Sequence, residues 1–270
     1  MKVFVISDME GVAGITKWEQ VSGGEPLYED GRRLYTQEVN AAVRGARAAG
    51  ADEVVVMDCH GAGGGWTFNS LLPEELDPGC EWVVQRSWTE YTELLEQGCD
   101  AAVLVAMHAK AGTGDGVLSH TVSGTDWRDL RFNGRSVGET GINAALCGTW
   151  GCPVVFVSGD RATCAEARAL LGDLTTVEVK QGLGRFSARH KHPKLARRLI
   201  EQGVRAALSE PRRVAPYDPG RPATIEVDLA APDNAELYRH RHGVELSGSR
   251  TVVSRAERWW DAWRQLWHWG

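Results

Sequence analysis

Asp8 and Glu10 stand at alternate positions directly after the chain's first apolar run, in MKVFVISDMEGVAG. Five of the first six residues are apolar or β-branched, which suits a fully buried strand. Acids at the end of such a strand need neutralising, because unpaired buried carboxylates are too costly to leave. Hard cations are the usual answer, and α/β sheets place ligand sites at the carboxyl ends of their strands. A solvated acidic turn is the plainer alternative. Two later apolar runs also end in potential ligands. EVVVMD, 53–58, leads into Cys59 and His60, and AAVLVAMH, 101–108, ends at His108. Two carboxylates and two imidazoles from separate strand ends are the donor mix for zinc or a similar divalent ion. One carboxylate can bridge two ions, and a two-metal site suits the splitting of amide or phosphoryl bonds. Glu139, opening a helix within GRSVGETGIN beyond a turn that can fold back, is the candidate fifth ligand. Taken singly, His60 and His108 read more plainly as structural histidines, and Glu139 as a first-turn acid favoured by the helix dipole. The convergence on successive strand ends is what argues for a site.

Those residues need a frame. Apolar spacing predicts a helix over 31–49, after a polar loop at 26–36, with Gly50 as its C-terminal stop. Strand, helix, strand then gives a parallel pair with a right-handed crossover. GAGGGW, 61–66, reads as a mobile loop, not a phosphate-binding fingerprint, because no helix follows it promptly. Further along come a strand at 82–85, a helix at 89–98, extended pieces at 116–123 and 129–134, and a helix at 136–148. A strand at 152–160 and a helix at 162–171 follow. Beyond about 175 come a strand and turn at 175–184, a helix at 194–209 and a proline-rich connector at 210–222. A strand at 223–230, a short helix at 235–241, extended chain at 244–254 and a Trp-rich helix at 256–269 complete it. The expected fold is α/β: a parallel-rich sheet with flanking helices, Rossmann-like in its N-terminal part, plus a smaller α/β C-terminal part. The division expected is 1–172 as the metal-binding catalytic part and 173–270 as the C-terminal part, an oligomerisation region in prospect.

At 270 residues the chain can bury a substantial core. A net charge of −6 leaves no basic footprint for nucleic acid. No apolar run has the length of a membrane span. The N-terminus lacks the features of a signal peptide, and six scattered cysteines without a CxxC pair read as reduced thiols. A cytoplasmic protein is the expectation. Five of the eleven tryptophans fall in the last twelve residues. Trp259, Trp263 and Trp267 form one helical stripe, whereas Trp260 lies off it and needs a neighbour to cover it.

Several segments taken in order resemble one family. SDMEG, 7–11, is similar to the S-x-D-x-E-G signature of the DppA-type zinc D-aminopeptidases. YTQEVNAAVRGARAAGADEVVVMDCHG at 35–61, LLPEEL at 71–76, HAKAGT at 108–113, VLSHT at 117–121, NGRSVGETGINAAL at 133–146 and GCPVVFVSGD at 151–160 continue it. The likeness is good over 1–200 and looser beyond. It implies a zinc-dependent aminopeptidase with two Zn2+ per subunit, acting on short peptides with an N-terminal D-residue. It implies Asp8, Glu10, His60, His108 and Glu139 as metal ligands, with Asp8 bridging, and a catalytic role for His120. Lys110 is a weaker candidate for contacting a substrate carboxylate or oxyanion, and Ser119 needs no role as a nucleophile. A homo-oligomer, a decamer of two stacked five-membered rings, is also implied. The glycine-rich loop after His60 and the Trp-rich C-terminus depart from the family pattern, which puts substrate preference in question. Another metallohydrolase, an amidase or a phosphoesterase with the same ligands, is the alternative.

Overall fold

The computed structural model describes residues 1–209 and 214–267. Its core is a seven-stranded sheet. The chain enters through β1 (Lys2–Ser7), crosses by α1 (Tyr28–Ala48) to β2 (Glu53–Asp58), and continues to β3 (Glu81–Val83). A single turn, α2 (Glu93–Glu96), leads to β4 (Ala101–Met107). A hairpin of β5 (Trp127–Phe132) and β6 (Arg135–Val137) precedes α3 (Glu139–Thr149), β7 (Val154–Asp160) and α4 (Arg161–Leu171). Then come β8 (Thr175–Gly184), β9 (Ser187–His190) and α5 (Pro193–Ser209). The last part comprises β10 (Ala223–Leu229), α6 (Pro232–Glu236), β11 (Val244–Ser247), β12 (Thr251–Ala256) and α7 (Trp259–Trp267).

The first sheet runs β3-β2-β1-β4-β7-β8-β9 and is parallel except at its β8–β9 edge. The second, wholly antiparallel, runs β11-β12-β10-β5-β6. The α/β class with a parallel-rich sheet is as expected. The boundary expected near 172 cuts across both sheets: β5 and β6 lie in the second, while β8 and β9 extend the first. Sequence texture follows chain neighbours, and here the chain passes between the two sheets three times.

β1 is buried on both faces, as its unbroken apolar run requires. Val3 and Val5 pack with α1 and α5, whereas Phe4 and Ile6 join the core that holds the second sheet, α3 and α7. Pairing aligns Ser7 with Asp58 on one side and with Val105 on the other. The ends of β1, β2 and β4 are therefore neighbours, which is why their ligand-type residues meet.

Several local expectations shift. α1 begins at Tyr28, inside the expected loop, because its first turn packs against the preceding chain. A Cβ on Gly31 would meet the Gln20 carbonyl at 2.0 Å. The helix expected at 89–98 shrinks to one turn, with Thr89 at φ 62°. Segment 116–123 forms no strand, only a bridge between Thr121 and Ser123. Leu118 (φ 52°) and Val122 (φ 63°) turn the chain on either side of His120. The helix expected at 136–148 starts only at Glu139, and its first two positions belong to the strand Arg135–Val137. The short helix expected at 235–241 lies instead at Pro232–Glu236, with its proline in the first turn. Part of the expected connector, 210–213, and the end of the segment expected as a Trp-rich helix, 268–269, together with Gly270, fall outside the described residues.

In α7 the stripe of tryptophans is internal. Trp259 and Trp263 stack at 5.5 Å, Trp263 and Trp267 at 5.6 Å. Trp88 meets Trp267 edge-on, and the Trp263 indole N–H donates to Thr89 Oγ1 at 3.0 Å. Trp260 is covered by Trp150 at 5.3 Å. No helix among the described residues is long and apolar enough to cross a membrane.

Candidate metal centre

Asp8, Glu10, His60, His108 and Glu139 come together, and all five are at least 95% buried. The carboxylate of Asp8 faces two ways. Its Oδ1 lies 3.2 Å from His60 Nδ1 and its Oδ2 lies 3.3 Å from His108 Nε2. Glu10 Oε2 is 3.2 Å from His60 Nδ1, and Glu139 Oε1 is 3.3 Å from His108 Nε2. His120 Nε2 stands 3.7 Å from Glu139 Oε1, with its ring stacked 4.0 Å from that of His108. Two triads, Asp8–Glu10–His108 and His108–His120–Glu139, each have donor atoms within 4.8 Å of one another.

The far nitrogen of every imidazole is paired with a backbone carbonyl. His60 Nε2 is bonded to Val21 O at 2.7 Å, His108 Nδ1 to Ala109 O at 3.0 Å, and His120 Nδ1 to Leu118 O at 2.8 Å. A carbonyl only accepts, so these nitrogens carry the protons. The nitrogens turned to the carboxylates are then lone pairs in the neutral rings. Lone pairs facing carboxylate oxygens at 3.2–3.3 Å repel, and Glu10 Oε2 and His108 Nε2 have no hydrogen-bond partner. A cation removes the conflict, and the carbonyl-held ring is the arrangement that metal-bound histidines adopt.

The electrostatics make the same demand. Burial alone would lower the His60 pKa, but Glu10 and Asp8 outweigh it and hold the ring well above the usual imidazole range. Burial likewise opposes charge on His108, and Glu139 and Asp8 overcome it. Burial would raise Asp8, yet His108 and His60 bring it well below the usual carboxylate range. Positive charge belongs here, as protons or as divalent ions. His120 differs: burial and the neighbouring His108 lower its pKa, so it stays neutral near pH 7.

Local structure delivers each group. β4 carries a bulge where Ala106 adopts φ 60°, its N–H held by Ser158 Oγ at 3.0 Å, and His108 follows two residues on. The Gly11 N–H donates to Ala106 O at 2.8 Å, bringing the ligand loop onto that bulge. A Cβ on Gly11 would lie 2.1 Å from Met107 O, so only glycine fits. Glu139 opens α3, and its Oε1 accepts the Val122 N–H at 2.7 Å.

Asp58, aligned with these groups in sequence, is engaged elsewhere. It accepts bonds from Tyr35 Oη, the His60 N–H and the Ser70 N–H, and so shapes the loop after His60. Lys110 donates to Ser136 Oγ at 2.8 Å, and Ser119 Oγ to Thr113 O at 2.9 Å.

Lys180 escapes the sequence reading. It is buried, and its ammonium group donates to the carbonyls of Glu10, Val12 (2.9 Å) and Ile15 (2.8 Å). Burial lowers its pKa to about 8. Beside it, Glu38 accepts the Ala13 N–H at 3.0 Å and is raised by burial to about 7. Alternation along β8 sets Lys180 on the same face as Glu178, which reads as solvent-facing. A bulge between Gly159 and Asp160 in the pairing with β7 breaks that alternation. His190 Nδ1 in β9 accepts the Gly14 N–H at 3.0 Å, fixing the far end of the loop.

Two of the five clustered residues, Glu10 and His60, border a cavity of about 520 Å³ that Trp18, Val21, His120 and Arg185 also line. A smaller space of about 60 Å³ touches Asp8, Glu10, His60 and Glu139, and is walled by Trp88 and Trp267. Gly61, at the start of the glycine-rich loop, and Phe68, just past its end, also line it. The loop's last residue is anchored: Trp66 packs edge-on against Tyr28 at 5.5 Å and under Arg32 at 5.2 Å.

Residues 1–268 match the family model of the M55 peptidases, described as D-aminopeptidase. The D-aminopeptidase of Bacillus subtilis (strain 168) is 31% identical over 269 residues, 98% of this chain and 95% of the relative. Among solved structures, the Zn-dependent D-aminopeptidase DppA from Bacillus subtilis, a self-compartmentalizing protease, superposes with a TM-score of 0.91. The identity there is 30%, over 98% of this chain and 95% of that one.

Proposed function

The chain belongs to the M55 family of D-aminopeptidases, and on that premise we propose that it is a binuclear zinc enzyme. It releases the N-terminal residue, a D-amino acid, from short peptides. In this reading Asp8, Glu10, His60, His108 and Glu139 hold the two ions. Asp8, whose two oxygens face different histidines, would be the ligand shared by both. The observation that carries the reading is the set of imidazoles with their protons committed to backbone carbonyls and their lone pairs turned to carboxylates. When bound, the ions polarise the scissile carbonyl and lower the pKa of a water. The chain's own residues do the rest. His120 keeps Nε2 free of a proton by donating from Nδ1 to Leu118 O, and that nitrogen accepts a proton and returns it to the leaving amine. The Val122 N–H fixes Glu139, and Lys180 holds the Glu10 loop from behind. Trp18 and Val21 shape the cavity that receives the peptide.

The test is a hydrolysis screen of D- and L-alanyl dipeptides after loading with zinc, alongside the Asp8→Ala variant. D-alanyl peptides are cleaved, and Asp8→Ala loses both activity and bound zinc. Cleavage of p-nitrophenyl phosphate with no D-alanyl peptide overturns the reading in favour of another metallohydrolase. A ring assembly, a decamer of two five-membered rings, and a cytoplasmic location belong to the same proposal. Large apolar side chains left open on the monomer, Leu183 and Phe186 at the β8–β9 turn and Leu237 after α6, support assembly. Six free thiols fit a reducing compartment. A single-chain mass by light scattering at micromolar concentration overturns the assembly.

A further inference from the structure

We infer that Arg185 is the specificity residue that binds the free C-terminal carboxylate of a short peptide, an inference that rests on the aminopeptidase reading of the same site. Arg185 lines the 520 Å³ cavity together with Glu10, His60 and His120. It also lines a second space, of about 360 Å³, on which His120 borders as well. That second space contains Arg128 and no acidic residue. Charge is thus sorted across the site. Asp8, Glu10 and Glu139 line the small space, which Arg185 does not border, and the guanidinium lines the two larger ones. A short peptide carries the same polarity, an amino group at one end and a carboxylate at the other.

Arg185 is held for this task. Its Nε donates to the Ser119 carbonyl at 3.2 Å, and its guanidinium lies over the Trp18 ring at 5.5 Å and the Phe186 ring at 5.5 Å. Its backbone carbonyl accepts the Leu118 N–H at 2.8 Å, which ties the β8–β9 turn to the His120 segment. Trp18 in turn meets His120 edge-on at 5.6 Å. Among the described residues its polar partner is a carbonyl, not a carboxylate, so its charge is unneutralised. Its Nη2 lies 4.0 Å from where a Cβ on Gly124 would stand, so the outer edge of the fork faces a wall without a side chain. A planar fork with free N–H groups is the partner a carboxylate prefers. Both ends of the substrate then lie in one cavity, which selects peptides of two or three residues over long chains.

The test compares D-alanyl-D-alanine with its C-terminal amide on the zinc-loaded enzyme and on Arg185→Gln. Zinc content and thermal melting serve as checks of folding. The expected result is a loss of kcat/KM for the free acid on the order of tenfold to a hundredfold greater than for the amide. The loss lies in KM, and Arg185→Lys partly restores it. Equal loss on both substrates overturns the inference, since Arg185 would then serve only to hold the His120 segment. No loss on either overturns it as well. A wild-type enzyme inert toward both peptides overturns the aminopeptidase reading itself, and this inference with it.

Discussion

At His120 the nitrogen facing Glu139 is free because the other donates to Leu118 O. The ring sits 3.7 Å from Glu139, farther than any of the other carboxylate–histidine pairs at the centre. That distance supports the role proposed for it, a proton carrier beside the proposed ligands. His120→Ala is expected to lower kcat by about 10²–10⁴-fold while leaving bound zinc unchanged. Loss of zinc from this variant, measured by metal analysis, would make His120 a ligand. His190 obeys a simpler competition, in which a proton and the Gly14 N–H claim the same Nδ1 lone pair. Burial first, and then Lys180, lower its pKa from 6.5 to about 4. The folded protein therefore binds this proton only near pH 4, whereas the unfolded chain binds it near 6.5. The contact stabilises above pH 6.5 and is lost as pH falls toward 4. His190→Ala should cost on the order of 1 kcal/mol at pH 7.5. The gap from wild type should close on acidification in thermal melts, and a gap constant with pH would refute this.

At the scale of elements, the site depends on close approach between the loop after β1 and the bulge in β4. Gly11→Ala places a methyl group where Met107 O lies 2.1 Å away, so the loop must lift. We expect a loss of about 1–3 kcal/mol or more, together with lowered zinc content, because Glu10 and His108 move apart. Full zinc occupancy with an unchanged melt would show that the loop tolerates the change. The strands that lead to the candidate ligands were legible because β1, β2 and β4 are continuous apolar runs, and a parallel sheet puts their C-terminal ends on one edge. The bulges and left-handed residues were not. Leu118, Val122 and Ala106 take positive φ with ordinary side chains, so nothing in their identity marks a turn. Lys180 was hidden for the same reason, by a bulge that breaks the alternation of β8.

Over the whole molecule, one apolar core spans both sheets. Phe4 and Leu104 of the first share it with Leu130 and Val227 of the second, and with Trp263 of α7. The tryptophan stripe at 259, 263 and 267 was visible in the sequence. Its role as core, not as an exposed interface, was not, because Trp88 and Phe132 lie far away along the chain. Trp263→Ala removes the middle ring of the stack and its bond to Thr89, and should cost about 3–5 kcal/mol. Wild type and variant should both unfold in one transition in urea. Two separated transitions would show that the sheets are independent units.

The wall that Trp88 and Trp267 form beside Asp8 and Glu139 gives the protein a built-in optical gauge. Their indoles border the small space lined by Asp8, Glu10, His60 and Glu139, so their emission should respond to what enters it. Titration with zinc should change the intrinsic fluorescence and saturate at the metal stoichiometry. Replacing Trp267 with Phe should remove much of that signal while the enzyme still loads, so occupancy can be followed without substrate.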